Sequence, residues 1–252
     1  MKTLKITMLL AILLMLSPLI SIAQDNPMYW IHVDDVKPSM VTEYEATVKE
    51  ALGLLNQHKI QSAGMIVLAT NDSKYHYISP IKNLGDVNYK IWNDLSEKAG
   101  EEVVSNLFRK MDKCYDNERD YTLTLRKELT YMPDGITQTP EGRNYRKNYL
   151  FYVAPGNRAA VNEKFKAVKE VYEKKGAKEY YRVYKSGFGA DGEHYLVSIA
   201  AKDATDYAKT DAETMELIGD EGKKALDELF GSSLKYTVME GNMRPDLAYK
   251  PK

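Results

Sequence analysis

A run of residues near the start of the chain returns 120 positions later. Tyr29, Val33, Val41, Glu43, Val48, Lys49 and Glu50 stand opposite the identical residues Tyr149, Val153, Val161, Glu163, Val168, Lys169 and Glu170. Seven identities in the 22 positions from Tyr29 to Glu50 exceed chance several-fold, and Ile31 against Phe151 keeps its apolar character. The same offset holds further on, where Tyr75, Lys82 and Asp86 meet Tyr195, Lys202 and Asp206. A repeat of this length constrains the fold before any other feature does, because it makes the chain two copies of one unit.

The pattern within each copy gives the unit. Tyr29 to Val33 is β-branched and aromatic and reads as a strand, ended by Asp34 and Asp35. Pro38 and Ser39 supply a helix start, with Ser39 as the cap. Val41, Tyr44, Val48, Leu52 and Leu55 then recur at spacings of three and four, the stripe of a helix that faces a core. Gly64 to Thr70 and Lys74 to Pro80 are strands about the turn Asn71-Asp72-Ser73. Leu84 to Met111 is helical with a break at Gly100, and Tyr121 to Leu129 is a fourth strand. Residues 131–146 carry Pro133, Gly135, Pro140 and Gly142 and read as a linker.

The second copy follows the same order. Tyr149 to Val153 is its first strand, and Val161, Phe165, Val168 and Tyr172 form its helix stripe, stopped at Gly176. Glu179 to Lys185 and His194 to Ala200 pair as strands, Ala204 to Phe230 is a helix interrupted at Gly219, and Leu234 to Glu240 closes the unit. The division is residues 1–23 as a leader, 28–130 and 147–240 as the repeats, and 241–252 as a tail expected to be poorly ordered at its end.

The order β-α-β-β-α-β is the ferredoxin-like arrangement, an α+β unit with helices on one face of an antiparallel sheet. The bare face is costly to expose, and two tandem units can cover each other. In this order, and in the repeated Y-x-x-x-V and V-K-E segments, the chain resembles the dimeric α/β-barrel superfamily, which includes antibiotic-monooxygenase-like and NIPSNAP-like domains. The resemblance covers nearly all of residues 28–240 and implies two facing sheets that form a pseudo-dimeric α/β barrel. It carries no catalytic signature.

Candidate site residues follow from alternation along the first strand. Trp30 and His32 point away from Tyr29, Ile31 and Val33, and the offset places Leu150 and Tyr152 beside them. If the more aliphatic face meets the helices, Trp30, His32 and Tyr152 line the space between the sheets, with Arg182 from the second copy. That space would suit a flat aromatic or carbonyl-bearing ligand. The chain has 19 tyrosines against five phenylalanines, which packing on half-buried sheets explains in large part. A histidine there could be a base or a ligand to haem or metal. His32 and Asp34 form H-x-D, a spacing too common to mark a metal site, and His76 and His194 do not fall at equivalent repeat positions. The G-x-G-x-x-G of Gly187 to Gly192 precedes a strand rather than a helix, so it reads as a hairpin loop and not a dinucleotide site. Cys114, the single cysteine, shares a helical face with Leu107, Phe108 and Met111 and is expected to be buried.

Lys2 and Lys5, the apolar run Met8 to Leu16 and the small-x-small Ser21-Ile22-Ala23 read as a secretory signal peptide cleaved before Gln24. Cleavage takes two lysines from 35 basic residues, leaving 33 against 36 acidic, net −3. That balance gives no electrostatic reason for nucleic acid or an anionic membrane as partner, and no later stretch approaches a membrane span. The expectation is therefore an exported protein that binds a small apolar or aromatic molecule between its two sheets. The alternatives are an enzyme of the cofactor-independent oxygenase or haem-binding barrel type, and a structural or partner-binding protein whose barrel is filled by side chains. The residues name no cofactor.

Overall fold

The computed structural model describes residues 26–87 and 90–251; the leader falls outside them. The first unit runs β1 (Met28–Val36), α1 (Val41–Gln57), β2 (Ile66–Thr70), β3 (Lys74–Ile81), α2 (Lys90–Ala99), α3 (Glu101–Met111) and β4 (Tyr115–Leu125). The second runs β5 (Tyr145–Tyr152), α4 (Arg158–Lys175), β6 (Tyr181–Ser186), β7 (His194–Ala201), α5 (Ala204–Gly231) and β8 (Lys235–Met243). All eight strands close into one antiparallel barrel in the order β1-β3-β2-β8-β5-β7-β6-β4. Each unit contributes a ferredoxin-like sheet, and the barrel is joined where β2 meets β8 and β4 meets β6. The helices lie outside. Closure removes the exposed edges that either sheet would have alone.

Glycines mark both seams. The loop Gly187 to Gly192 is the β6–β7 hairpin, and its backbone extends the β4–β6 seam through Gly187 N to Thr122 O (2.8 Å) and Thr122 N to Phe188 O (2.9 Å). A Cβ on Gly241 at the other seam would lie 2.2 Å from Ala69 O. Helix breaks fall at the expected glycines. Gly100, at φ 100°, separates α2 from α3, and Gly219, at φ 58°, kinks α5.

Four local expectations change. α1 begins after a 3-10 turn over Pro38–Met40, and Ser39 makes no capping bond. β4 starts at Tyr115 rather than Tyr121, because Asn117 to Asp120 pair with Asp35 to His32, and Tyr115 with Val36, despite the polar character of the stretch. The segment before β5 is no free linker, since Tyr131 bridges Tyr181 and Gln138 reaches the barrel. The tail is ordered as well. Leu247 and Tyr249 are buried in the core of the first unit, where the Tyr249 hydroxyl donates to Ile60 O at 2.6 Å and Arg244 pairs with Glu45 through both guanidinium nitrogens. Apolar side chains on a short segment drive this docking, and composition alone could not show which surface they would cover.

The repeat itself has a different register from the one its identities suggest. Asp35 pairs with Lys74, the first residue of β3, and Tyr152 pairs with His194, the first residue of β7. Asp35 is thus the counterpart of Tyr152, an offset of 117. The helices agree, since buried Tyr44, Val48, Ala51 and Leu55 correspond to buried Val161, Phe165, Val168 and Tyr172. The offset becomes 120 only after the β6–β7 hairpin, which is longer than its three-residue counterpart at Asn71–Ser73. A slip of three leaves a helix stripe nearly in phase but turns a strand over. Tyr29 therefore does not correspond to Tyr149.

Candidate functional site

The slip decides which face of β1 sees what. Ile31 and Val33, with Tyr29 against them, pack inside the barrel on Leu123, Leu125, Tyr184 and Leu196. Trp30, His32 and Asp34 face outward, toward the helices of the first unit. The expectation that Trp30 and His32 line the space between the sheets is corrected accordingly. The aliphatic face of the strand went to the drier enclosure, inside the barrel.

That interior is nearly filled. Two residues from each of the eight strands, with Gln138, line what remains open, a cavity of about 60 Å³. Gln138 acts as a plug. Its amide nitrogen donates to the Tyr29 hydroxyl at 3.1 Å, its amide oxygen accepts from Tyr184, and its carbonyl accepts from Arg146 and Arg182, each at 2.9 Å. Arg182 is fully inside, 2% exposed. Tyr152 sits at the rim, its ring 5.3 Å from that of His194 and 4.5 Å from the Lys235 ammonium. The four candidate residues therefore divide among three places, and only Trp30 and His32 share one.

Their place is a cavity of about 720 Å³ between the first sheet and its helices. Val48, Leu52, Ile91, Phe108 and Met111 give it apolar walls from α1, α2 and α3. One wall is polar. The His32 ring lies between two carboxylates, with Nδ1 3.0 Å from Asp120 Oδ1 and Nε2 3.0 Å from Asp34 Oδ1. The second contact is an ion pair with a buried carboxylate. Trp30 Nε1 donates to the same Asp120 oxygen at 2.7 Å. Behind this layer the Tyr44 hydroxyl donates to Asp34 Oδ2 and lies 2.6 Å from the Tyr77 hydroxyl.

Burial alone would lower the pKa of His32. The hydrogen bonds and charges of Asp120 and Asp34 outweigh it and hold the ring at about 10, an imidazolium at neutral pH. Burial pushes the Tyr44 and Tyr77 hydroxyls well above their ordinary value; the Asp34 charge adds to both, and Tyr77 adds to Tyr44. Nε2, the Asp34 carboxylate and the Glu118 carboxylate also lie within 4.8 Å of one another, near enough to share a divalent ion if the ring gave up its proton. Asp34, Tyr44, Tyr77 and Asp120 were not legible as site residues. The one available signal was period two, since Trp30, His32 and Asp34 alternate on one strand face.

A second, smaller cavity of about 310 Å³ occupies the corresponding place in the second unit. It is lined by Tyr149, Tyr172, Tyr207, Asp211 and the buried Glu179. Burial and the nearby Asp211 raise the Glu179 carboxyl to about 7.

Solved structures share this architecture. An anthrone oxidase-like protein superposes with a TM-score of 0.60 at 11% identity, over 88% of this chain and 93% of its own. A monooxygenase-type protein from Lactobacillus acidophilus gives 0.52 at 13%, over 90% and 97%. The fold is the dimeric α/β barrel. A third example of the barrel, chlorite dismutase from Candidatus Nitrospira defluvii in complex with imidazole, gives 0.51 at 10%, over 87% and 92%. No family model and no curated protein sequence matches the chain.

Haem held by a histidine ligand of the barrel is one alternative that the sequence leaves open. Such a ligand needs a proton-free nitrogen facing a space of several hundred Å³. His32 faces such a space but holds its two nitrogens against Asp120 and Asp34. His76 lies on the 60 Å³ interior cavity, and His194 turns Nδ1 to Gly192 O at the rim. None of His32, His76 and His194 is placed to hold a haem iron.

Proposed function

We propose that the chain binds a small, flat, largely apolar molecule that carries a hydroxyl or amine donor, in the cavity between the first sheet and its helices. The observation that carries this reading is the cavity itself: about 720 Å³, apolar on the helix side and acidic at one end. Three carboxylates, Asp34, Glu118 and Asp120, surround one imidazolium there, so that end attracts donors and cations and repels anions. The His32 N–H groups are directed at carboxylates, so the ligand's polar group would meet acceptors. Trp30 would supply an aromatic surface at the same end.

Titration with 2-naphthol, followed by its fluorescence, tests the reading. Saturable binding is expected in the native protein, and Leu52→Trp, which fills the cavity from α1, should weaken it at least tenfold with little change in melting temperature. Absence of binding, or equal binding by the variant, refutes the reading.

A second reading is oxidation of such a ligand by dioxygen without a cofactor. The names of the anthrone oxidase-like and monooxygenase-type neighbours favour it. The paired, already protonated His32 disfavours it, since the ring has no free nitrogen with which to take a proton from substrate. Oxygen uptake on addition of anthrone decides between the two.

A further inference from the structure

Arg146 and Arg182 are both buried, at 3% and 2% exposure, and both line the small cavity inside the barrel. Among the described residues neither makes a salt bridge, and no carboxylate lines that cavity. Their N–H groups are directed at neutral oxygens. Arg182 Nη1 donates to Thr137 O and Gln138 O at 2.9 Å each, and its Nη2 is 3.4 Å from Ser198 O. Arg146 donates to Arg143 O at 2.6 Å, to Tyr145 O at 2.9 Å and to Gln138 O at 2.9 Å. These bonds engage the terminal nitrogens of the two forks but do not offset their charge. Two guanidinium groups that share a carbonyl acceptor repel each other, and an uncompensated charge in a buried interior is unfavourable. Arginine does not escape by losing its proton.

The cavity between them has the matching size and the matching defects. It measures about 60 Å³, room for an ion of atomic size. Three buried polar atoms without a hydrogen-bond partner belong to residues that line it: Arg182 Nε, Asn148 Oδ1 and His76 Nε2. Asn148 can present its amide nitrogen instead by turning over. Such a concentration of orphaned groups marks a missing occupant. We infer that the barrel interior holds one small monovalent anion, a halide or an inorganic ion of similar size, between Arg146 and Arg182. The anion would neutralise part of the arginine charge, accept from Arg182 Nε and lock the Gln138 plug in place through the carbonyl both arginines share. This site is separate from the cavity assigned to an organic ligand.

Melting of the full-length protein at constant ionic strength tests the site, with sodium bromide exchanged against sodium gluconate, whose anion is too large to enter. A saturable rise in melting temperature of several degrees with bromide is expected, because an ion bound only by the native state stabilises it. Crystals grown in bromide should show an anomalous peak in contact with both guanidinium groups. Asn148→Asp would place a charge in the cavity, so the variant should melt higher in gluconate and lose its response to bromide. Equal melting in the two salts overturns the inference, leaving the carbonyl dipoles as the sole compensation. A bromide peak without an effect on melting would mark binding at crystal concentration only and overturns it too. A full bromide response retained in Asn148→Asp would place the ion elsewhere and overturn the assignment.

Discussion

Replacing Glu179 by Gln should stabilise this protein, and by an amount that depends on pH. Glu179 is buried against Tyr172, whose hydroxyl lies 3.4 Å from one carboxyl oxygen, while the other oxygen has no hydrogen-bond partner. Burial and Asp211 raise its pKa from 4.5 to about 7. A raised carboxyl pKa means that the native state holds the proton more tightly than the unfolded chain does. Below 4.5 both states are protonated and the group contributes nothing. Between 4.5 and 7 the unfolded state releases its proton first, so stability falls as pH rises; above 7 the penalty is constant. At about 1.36 kcal/mol per pH unit the ceiling is about 3 kcal/mol. Glutamine keeps the shape and an acceptor for Tyr172 but still buries an amide, so about 2 kcal/mol is expected. For a chain of this length that is a rise of about 4–8 °C in melting temperature at pH 8, shrinking to near zero at pH 4.5. Calorimetry of both proteins from pH 4.5 to 8 reads it. A difference that stays constant across this range would show that Glu179 does not titrate as argued, and a destabilised variant at pH 8 would show that its charge is needed.

The His32 cluster has the opposite sign. With its pKa raised to about 10, its contribution is complete below 6.5 and is lost as pH climbs toward 10, so His32→Gln should cost roughly 3 kcal/mol at pH 6 and clearly less at pH 10, read from urea unfolding at both values. Gly241→Ala would set a Cβ 2.2 Å from Ala69 O and 2.7 Å from Thr70 Cα, backbone atoms that cannot step aside, so a loss of at least about 2 kcal/mol is expected from the same measurement. Tyr249→Ala should cost about 3 kcal/mol, because it removes a buried ring that the tail inserts into the first unit; an unaffected variant would show that the tail adds nothing to that core. We also propose export, with Gln24 as the mature N-terminus; N-terminal sequencing from the native host checks it, and an intact Met1 on exported protein rejects it.

Much of the architecture was legible because it rests on local, periodic signals. The stripe Tyr44, Val48, Leu52 and Leu55 is buried as its spacing required, and the G-x-G-x-x-G loop is the hairpin that a following strand demanded. Strand order and the mutual covering of the two sheets followed from the same reasoning. The site was not legible to the same degree. Period two shows that Trp30, His32 and Asp34 share a face but not which side of the sheet that face meets, and identities at offset 120 suggested the wrong one. Whether a strand face meets helices or the partner sheet depends on register, and register is fixed by pairing with β3 and β4, which lie far away in sequence.

The sequence by itself determined two like units, their elements and the stripes they bury, since each of these depends on residues a few positions apart. Only the tertiary structure decided where space remained. The barrel is nearly filled because Gln138 and the two arginines arrive from separate segments, whereas a cavity lined by Ala51, Leu52 and Met65 survives under α1 beside Trp30 and His32. Asp120 reaches His32 across 88 residues, and Arg244 reaches Glu45 across 199. Volumes and charge pairs of this kind are sums over distant neighbours, so chain closure creates them and no local pattern encodes them.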